Sequence, residues 1–329
     1  MKEVLKDKKL SEILEDSSIV EIARHAISGW DLSKEEFYDW TIEELKEKKG
    51  WVNLERGLGR LLKVAKKGNY YFPLYSKEEC KEDSAREGRN IVFFPSDDPK
   101  AAKRPFIIMT PGGPFVNVWH LTEGWPSAEH FNSCGYHVIL LTYQVGIEGS
   151  AVRAMDDMAR ALELIRKKED ELCVQAKEYI TCGFSAGGYV ACLWNTPKGY
   201  EAYGLPKPQA CLLIYPVTSY KIMNQVKWGD IDPKVFVRAA LACDLKEACE
   251  SVFEIPEHVE GFPPTAIFVA SQDELVDPNH SKMLAEALKK AGITCRLEVG
   301  PSGGHGFGDG SGMCMEGWPE RAMWWFESL

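Results

Sequence analysis

The sequence predicts an α/β protein: a mostly parallel sheet covered on both faces by helices, preceded by an N-terminal helical extension. Three observations predict it. From about residue 70 onward, short apolar runs rich in β-branched residues alternate with stretches of helical spacing, the pattern of parallel strands joined by crossover helices. The strand runs are apolar at nearly every position rather than at every second one, as a sheet buried on both faces demands. The first seventy residues show repeated helix-start patterns and no such alternation.

Taken in order, residues 1–70 form the extension. Ser18-x-x-Glu21, Ser33-x-x-Glu36 and Thr41-x-x-Glu44 each fit the capping box, in which the two side chains satisfy free N–H groups at a helix start. Leu54, Leu58, Leu61 and Leu62 then recur on one helical face. The segment reads as a stabilising layer packed on the main domain, with a part in covering the active site as the alternative. Residues 71–329 form the main domain. Its strands are expected at 91–94, 105–110, 137–143, 178–184, 210–216, 265–271 and 294–299, and its helices near 122–134, 151–168, 186–195, 278–291 and 315–328. About fifty residues between the runs at 210–216 and 265–271 break the alternation. An insertion at about 218–260 is expected there as a small cap, with Trp228, Phe236 and Phe253 giving it apolar character.

Composition narrows the function. Lys and Arg balance Asp and Glu over residues 1–70, so the whole net charge of −10 lies in the main domain. An acidic domain disfavours nucleic acid and anionic membrane as partners. No apolar run approaches the ~18 residues that span a bilayer, and the charged start MKEVLKDKKL lacks the apolar core of a secretory signal. A cytoplasmic location is expected. The ten cysteines include no C-x-x-C. Cys182 and Cys211 sit inside apolar runs and read as buried, reduced thiols.

The chemistry centres on Gly183-Phe184-Ser185-Ala186-Gly187. G-x-S-x-G is a modest signal alone, but here an apolar strand run precedes it and a helical run, GGYVACLW, overlaps and follows it. A strand–turn–helix of this kind exposes the serine hydroxyl on a turn too tight for side chains larger than glycine's on either side. The following helix N-terminus points partial positive charge at it. Ser185 is therefore the expected nucleophile of an α/β-hydrolase fold.

A serine hydroxyl needs an oriented base, and in this fold the order is serine, acid, histidine. Downstream lie only His258, His280 and His305. His305, in the Gly-rich run PSGGHGFGDGSG after the last strand, is preferred. His280 falls at a helix start, where capping or surface roles suffice, and His258 in the acidic stretch EIPEHVEG. The acid is expected just after the strand at 265–271. Asp273 follows that run directly, with Glu274 and Asp277 as alternatives, and Asp277 before Pro278 suits a helix cap. Acyl transfer also needs donors for the tetrahedral oxyanion. The Ala186 N–H is one candidate, and the Pro111-Gly112-Gly113-Pro114-Phe115 loop after an early strand is placed to supply another.

These segments resemble the α/β-hydrolase esterases, in particular carbohydrate acetyl and feruloyl esterases and related esterase/lipase proteins. The resemblance rests on TPGGPF (110–115), EGWPSAEHFNSCGYHVILLTYQVG (123–146), GFSAGG (183–188), LIYPV (213–217), PPTAIFVASQDELV (263–276) and GGHGFG (303–308), over roughly residues 90–329. It implies Ser185, Asp273 and His305 as a catalytic triad and the Gly113 and Ala186 N–H groups as the oxyanion hole. It implies a small-molecule ester as substrate, with acetyl or similar short acyl groups on carbohydrate. One departure stands out: the family's third small loop residue is here Pro114, which has no N–H to donate.

Phe115, Trp119, Trp125 and Tyr143 follow strands and are candidate substrate-binding residues, with core packing as the competing reading. Asp156 and Asp157 read as structural. No P-loop, dinucleotide G-x-G-x-x-G or H-E-x-x-H occurs, so neither metal nor organic cofactor is expected. Two rivals share the fold. A serine peptidase would need a peptide-selecting propeller or cap, and no blade-like repeat is present. A non-catalytic binding protein would have no use for the Ser, Asp and His set.

Overall fold

The computed structural model describes residues 5–223 and 232–329. In chain order, α1 (Leu10–Leu14), α2 (Val20–Ala23), the short strand β1 (Ile27–Ser28), α3 (Ile42–Lys49) and α4 (Leu54–Ala65) come first. They lead into β2 (Tyr71–Pro73), α5 (Lys77–Glu82), β3 (Asn90–Phe94), β4 (Phe106–Thr110) and β5 (Val118–Trp119). Next are α6 (Trp125–Ser133), β6 (Val138–Thr142), α7 (Ser150–Lys167), α8 (Glu169–Leu172), β7 (Tyr179–Phe184), α9 (Ser185–Trp194) and β8 (Ala210–Ile214). After these come α10 (Pro233–Leu241), α11 (Leu245–Glu250), β9 (Thr265–Ala270), α12 (Asn279–Lys290), β10 (Cys295–Gly300) and α13 (Trp318–Glu327).

Eight strands make one sheet in the order β10-β9-β8-β7-β4-β6-β3-β2. The pairs from β10 to β6 are all parallel, while β3 runs antiparallel to β6, and β2 antiparallel to β3. Side chains alternate between two apolar cores, one on each face. On β7, Ile180, Cys182 and Phe184 enter one core and Tyr179 the other; on β8, Ala210, Leu212 and Ile214 oppose Cys211 and Leu213. Both sets are buried, which is why the strand runs lack polar alternation.

The extension belongs to one of these cores. Leu54, Leu58, Leu61 and Leu62 are buried together with Trp125, Phe131 and Leu140. The α4 backbone comes so close to α6 that a Cβ on Gly57 would lie 2.7 Å from the Pro126 nitrogen. β1 pairs with β5, Ile27 opposite Trp119 and Ser28 opposite Val118. Of the three expected capping boxes only Thr41–Glu44 forms, at the start of α3. Ser18 and Ser33 do not cap, because the carboxylates of Asp16 and Asp31, two residues upstream, accept their N–H and O–H groups in local Asx turns.

In the segment between β8 and β9, α10 packs on α7. Phe236 lies 5.4 Å from the Phe115 ring centroid, and the Phe253 carbonyl accepts from the Tyr189 hydroxyl. Trp228 lies outside the described residues. All ten cysteines are free, with Cys182, Cys192 and Cys211 buried. Among the described residues no helix is long and apolar enough to cross a membrane.

Candidate active site

β7 turns into α9 without a connecting residue, and Ser185 at the junction has φ +52°, a strained value for a residue with a Cβ. The surrounding glycines are needed for space. A Cβ on Gly183 would meet Gly188 Cα at 2.7 Å, one on Gly188 would meet Pro216 Cβ at 2.7 Å, and one on Gly187 would overlap the Thr110 and Pro111 carbonyl oxygens.

Two later turns meet Ser185 at the same edge of the sheet. Asp273 leaves β9 with its carboxylate buried, and its Oδ1 accepts the Leu275 and Val276 N–H groups at 3.0 and 2.9 Å. Its Oδ2 lies 2.7 Å from His305 Nδ1, and His305 Nε2 lies 2.9 Å from Ser185 Oγ. A carboxylate acceptor at Nδ1 places the imidazole proton there, so Nε2 is left to accept from the serine hydroxyl. Such a series can draw a proton from the hydroxyl as the oxygen attacks an electrophile. The other candidates are elsewhere: Glu274 is exposed, and Asp277 accepts the Asn279 N–H at the start of α12.

His280 departs from the expected capping or surface role. It is fully buried, and its Nδ1 accepts from the Thr218 and Ser219 N–H groups at 3.1 and 3.2 Å. Burial holds its pKa down at about 4, so the ring stays neutral. The apolar positions around it on α12 draw it inward, which a helix-start pattern does not reveal.

The Pro111–Phe115 loop lies against the serine. A Cβ on Gly112 would come within 2.8 Å of Ser185 Cβ. Its donors can be counted: Pro111 and Pro114 have no N–H, Gly112 N–H donates to Glu123 Oε2 at 2.5 Å, and Phe115 N–H turns back to the Gly113 carbonyl. Gly113 N–H is left without an acceptor among the described residues. Ala186 N–H lies in the first turn of α9, where a helix provides no internal acceptor.

Three of the four candidate substrate-binding aromatics are sealed in the interior. Phe115, Trp125 and Tyr143 are fully buried. Phe115 packs edge-on against Tyr189, and the Tyr143 hydroxyl donates to the Pro111 carbonyl at 2.7 Å. Phe115 and Tyr143 brace the loop from the core on one face of the sheet, and Trp125 fills the core on the other. Only Trp119 is partly exposed, its ring 5.9 Å from that of Trp30 in the extension. Asp157 is buried beneath Tyr75 and Gln144, whose O–H and N–H groups it accepts.

Sequence reasoning assigned nothing to two polar groups beside Ser185. Glu123 is buried, and its Oε1 accepts the Tyr215 hydroxyl at 3.0 Å. The Tyr215 oxygen in turn accepts Gly308 N–H at 3.1 Å. Burial pushes the Glu123 carboxyl above the usual range, against the pull of Gly112 N–H, the nearby His305 ring and the Tyr215 hydroxyl. The signal in the sequence was their place in two segments that carry the resemblance, Glu123 at the head of 123–146 and Tyr215 within 213–217.

A second polar cluster pins the far end of the His305 loop. Asp309 Oδ2 lies 2.9 Å from His130 Nδ1 and accepts from Asn53 Nδ2 of the extension, while His130 Nε2 lies 2.7 Å from Glu320. Burial alone would lower the His130 pKa, but the two carboxylates outweigh it and raise it. His130, Cys134 and Glu320 hold donor atoms within 4.8 Å of one another, a spacing that could suit a metal. Both imidazole nitrogens are taken by carboxylates, however, and burial drives the Cys134 thiol up to about 12. The chemistry is that of an ion-pair network.

The parallel sheet, the strained serine turn and the hydrogen-bonded series at the strand ends together define a class. The chain belongs to the alpha/beta hydrolase fold family, whose model matches residues 112–309. It is 26% identical over 246 residues to an acetylxylan esterase of Xylanibacter ruminicola, covering 69% of this chain and 48% of that protein. It is 25% identical over 241 residues to an endo-1,4-beta-xylanase B of Butyrivibrio fibrisolvens, covering 69% of this chain and 36% of that one. The chain thus spans about half or less of the length of these relatives. Among solved structures it resembles an acetyl ester-xyloside bifunctional hydrolase of Caldicellulosiruptor lactoaceticus, with a TM-score of 0.64 and 26% identity over 78% of this chain and 95% of that one.

Proposed function

We propose that the protein is a serine esterase that cleaves short acyl groups, acetyl above all, from small-molecule esters, with acetylated carbohydrate as the favoured substrate class. The observation that carries the reading is the series from Ser185 Oγ through His305 to Asp273, at 2.9 and 2.7 Å. Ser185 attacks the ester carbonyl while His305 Nε2 takes its proton. Gly113 and Ala186 N–H groups receive the oxyanion, and His305 returns the proton to the leaving alcohol. Water, activated by the same ring, releases the acid. Asp273 fixes the ring and stabilises its charged form. The carbohydrate assignment draws support from relatives whose names include acetylxylan esterase and acetyl ester-xyloside hydrolase.

The test is hydrolysis of p-nitrophenyl acetate and of acetylated xylooligosaccharides by the wild type and by Ser185→Ala. Loss of the nucleophile should lower kcat/KM by about 10⁴-fold or more. Undiminished turnover in the folded variant would remove the assignment.

A further inference from the structure

We propose that Glu123, acting through Gly112 and Tyr215, is a positioning residue that holds the Pro111–Phe115 loop and the His305 loop in register about Ser185. The inference rests on the esterase reading above and adds a residue to its machinery.

The two loops come from opposite parts of the chain, and each supplies something the reaction needs at a fixed distance from the serine. Glu123 ties them together. One carboxylate oxygen takes Gly112 N–H and the other takes the Tyr215 hydroxyl, whose oxygen takes Gly308 N–H. The chain of bonds therefore begins one residue before Gly113 and ends three residues after His305. Every member is buried, where water does not compete and a broken bond leaves a polar group unpaired.

Each anchor is itself held. Glu123 sits in a single π-helical turn, His120–Gly124, that leads into α6, and a Cβ on Gly124 would lie 3.0 Å from the His120 ring and from the Leu140 side chain. Tyr215 directly follows β8 with φ +40°, and its N–H donates to the Phe268 carbonyl. Its ring centroid lies 4.6 Å from that of His305 and 4.6 Å from that of Phe307, edge-on to the latter. Tyr215 thus limits the His305 ring by contact and the His305 loop by hydrogen bond. Gly112 N–H is spent on Glu123, which fixes the Pro111–Gly112 peptide, and the Gly112 carbonyl accepts Trp119 N–H, so the peptide that carries Gly113 N–H, the loop's remaining free donor, is held at both sides of Gly112. A displacement of about 1 Å in such a donor or base can cost on the order of 100-fold in rate.

The test compares Glu123→Gln, Tyr215→Phe and the double variant with wild type in the full chain, using p-nitrophenyl acetate and a trifluoromethyl ketone as a mimic of the tetrahedral intermediate. Gln keeps the shape but offers one acceptor oxygen in place of two. Glu123→Gln is expected to lower kcat by about 10- to 100-fold with KM within about twofold, and to weaken the ketone in proportion. Tyr215→Phe should lower kcat by roughly 10-fold, and the double variant should be little worse than the poorer single one, since both cut one link. Wild-type kcat in folded Glu123→Gln, a loss carried by KM alone, or fully additive effects would overturn the proposal. Should Glu123→Gln fail to fold by circular dichroism, Tyr215→Phe decides by the same split of kcat from KM. If wild type neither hydrolyses the ester nor is labelled at Ser185 by a fluorophosphonate, the esterase reading itself fails. If Ser185→Ala is inactive while the Glu123 and Tyr215 variants match wild type, only the positioning role fails.

Discussion

The Ser185 turn and the part of the loop around His305 are both rich in glycine, but for different reasons. Around Ser185, glycine is required because no room exists: a Cβ on Gly183, Gly187 or Gly188 would run into backbone or a proline ring. In the His305 loop, Gly304 and Gly306 have open space around them, and Gly303, Gly306 and Gly312 are required for their positive φ angles; further along, Gly308 and Gly310 combine a positive φ with the Thr122 and Met315 carbonyls in the path of a Cβ. The first region is held by close packing. The second is held by a few polar pins, Tyr215 on Gly308 and His130 with Asn53 on Asp309. Ser185 is thus locked by the core, whereas His305, on a surface loop, depends on individual bonds.

That contrast can be broken by substitution, and the largest effect belongs to the packed turn. Gly187→Ala should cost about 3 kcal/mol or more, because the Thr110 and Pro111 carbonyls cannot both retreat. A melting temperature close to that of wild type would contradict the packing account. Gly306→Ala meets no atom and should cost only about 1–2 kcal/mol, through its φ of +80°. Thermal denaturation should rank it clearly above Gly187→Ala in stability, while the proposed esterase activity should still fall as the loop shifts His305.

The smallest effect sharpens the account of the pins. The His130 pKa is raised in the folded state above its ordinary value of 6.5. Its contribution to stability is therefore complete below about pH 6.5 and is lost as pH rises through the folded value. The decline from this group should appear in melting curves taken from pH 6 to pH 8.5. In His130→Gln the curves should lose that part of the slope. An unchanged slope in the variant would mean that Asp309 and Glu320 do not hold the ring charged.

Much of this architecture was legible beforehand, for identifiable reasons. The strands of a doubly covered sheet announce themselves as unbroken apolar runs, and β4, β6, β7, β8, β9 and β10 lie within a residue or two of their expected places. The antiparallel pairings of β2 and β3 depend on strand order, which local pattern does not carry. Capping is read correctly at Thr41, whose upstream Asp39 accepts from the Ser11 hydroxyl instead, and incorrectly at Ser18 and Ser33, where the equivalent Asp16 and Asp31 take the serine hydroxyl. The aromatics show the same divide. Phe115, Trp125 and Tyr143 have the composition of a sugar-binding rim, but their burial is a property of neighbours far away in sequence.

The sequence by itself determined the fold class and picked out Ser185, Asp273 and His305 as candidates, because a strand–turn–helix and its chain order are local or ordinal features. Only the tertiary structure decided that these three side chains stand within hydrogen-bond reach of one another, that Glu123 and Tyr215 join the two flanking loops, and that the N-terminal helices share a core with the sheet. Those are facts of proximity between segments as many as 258 residues apart, as with Asn53 and Ser311. Burial and hydrogen-bond partnership arise only when the folded chain brings such segments together.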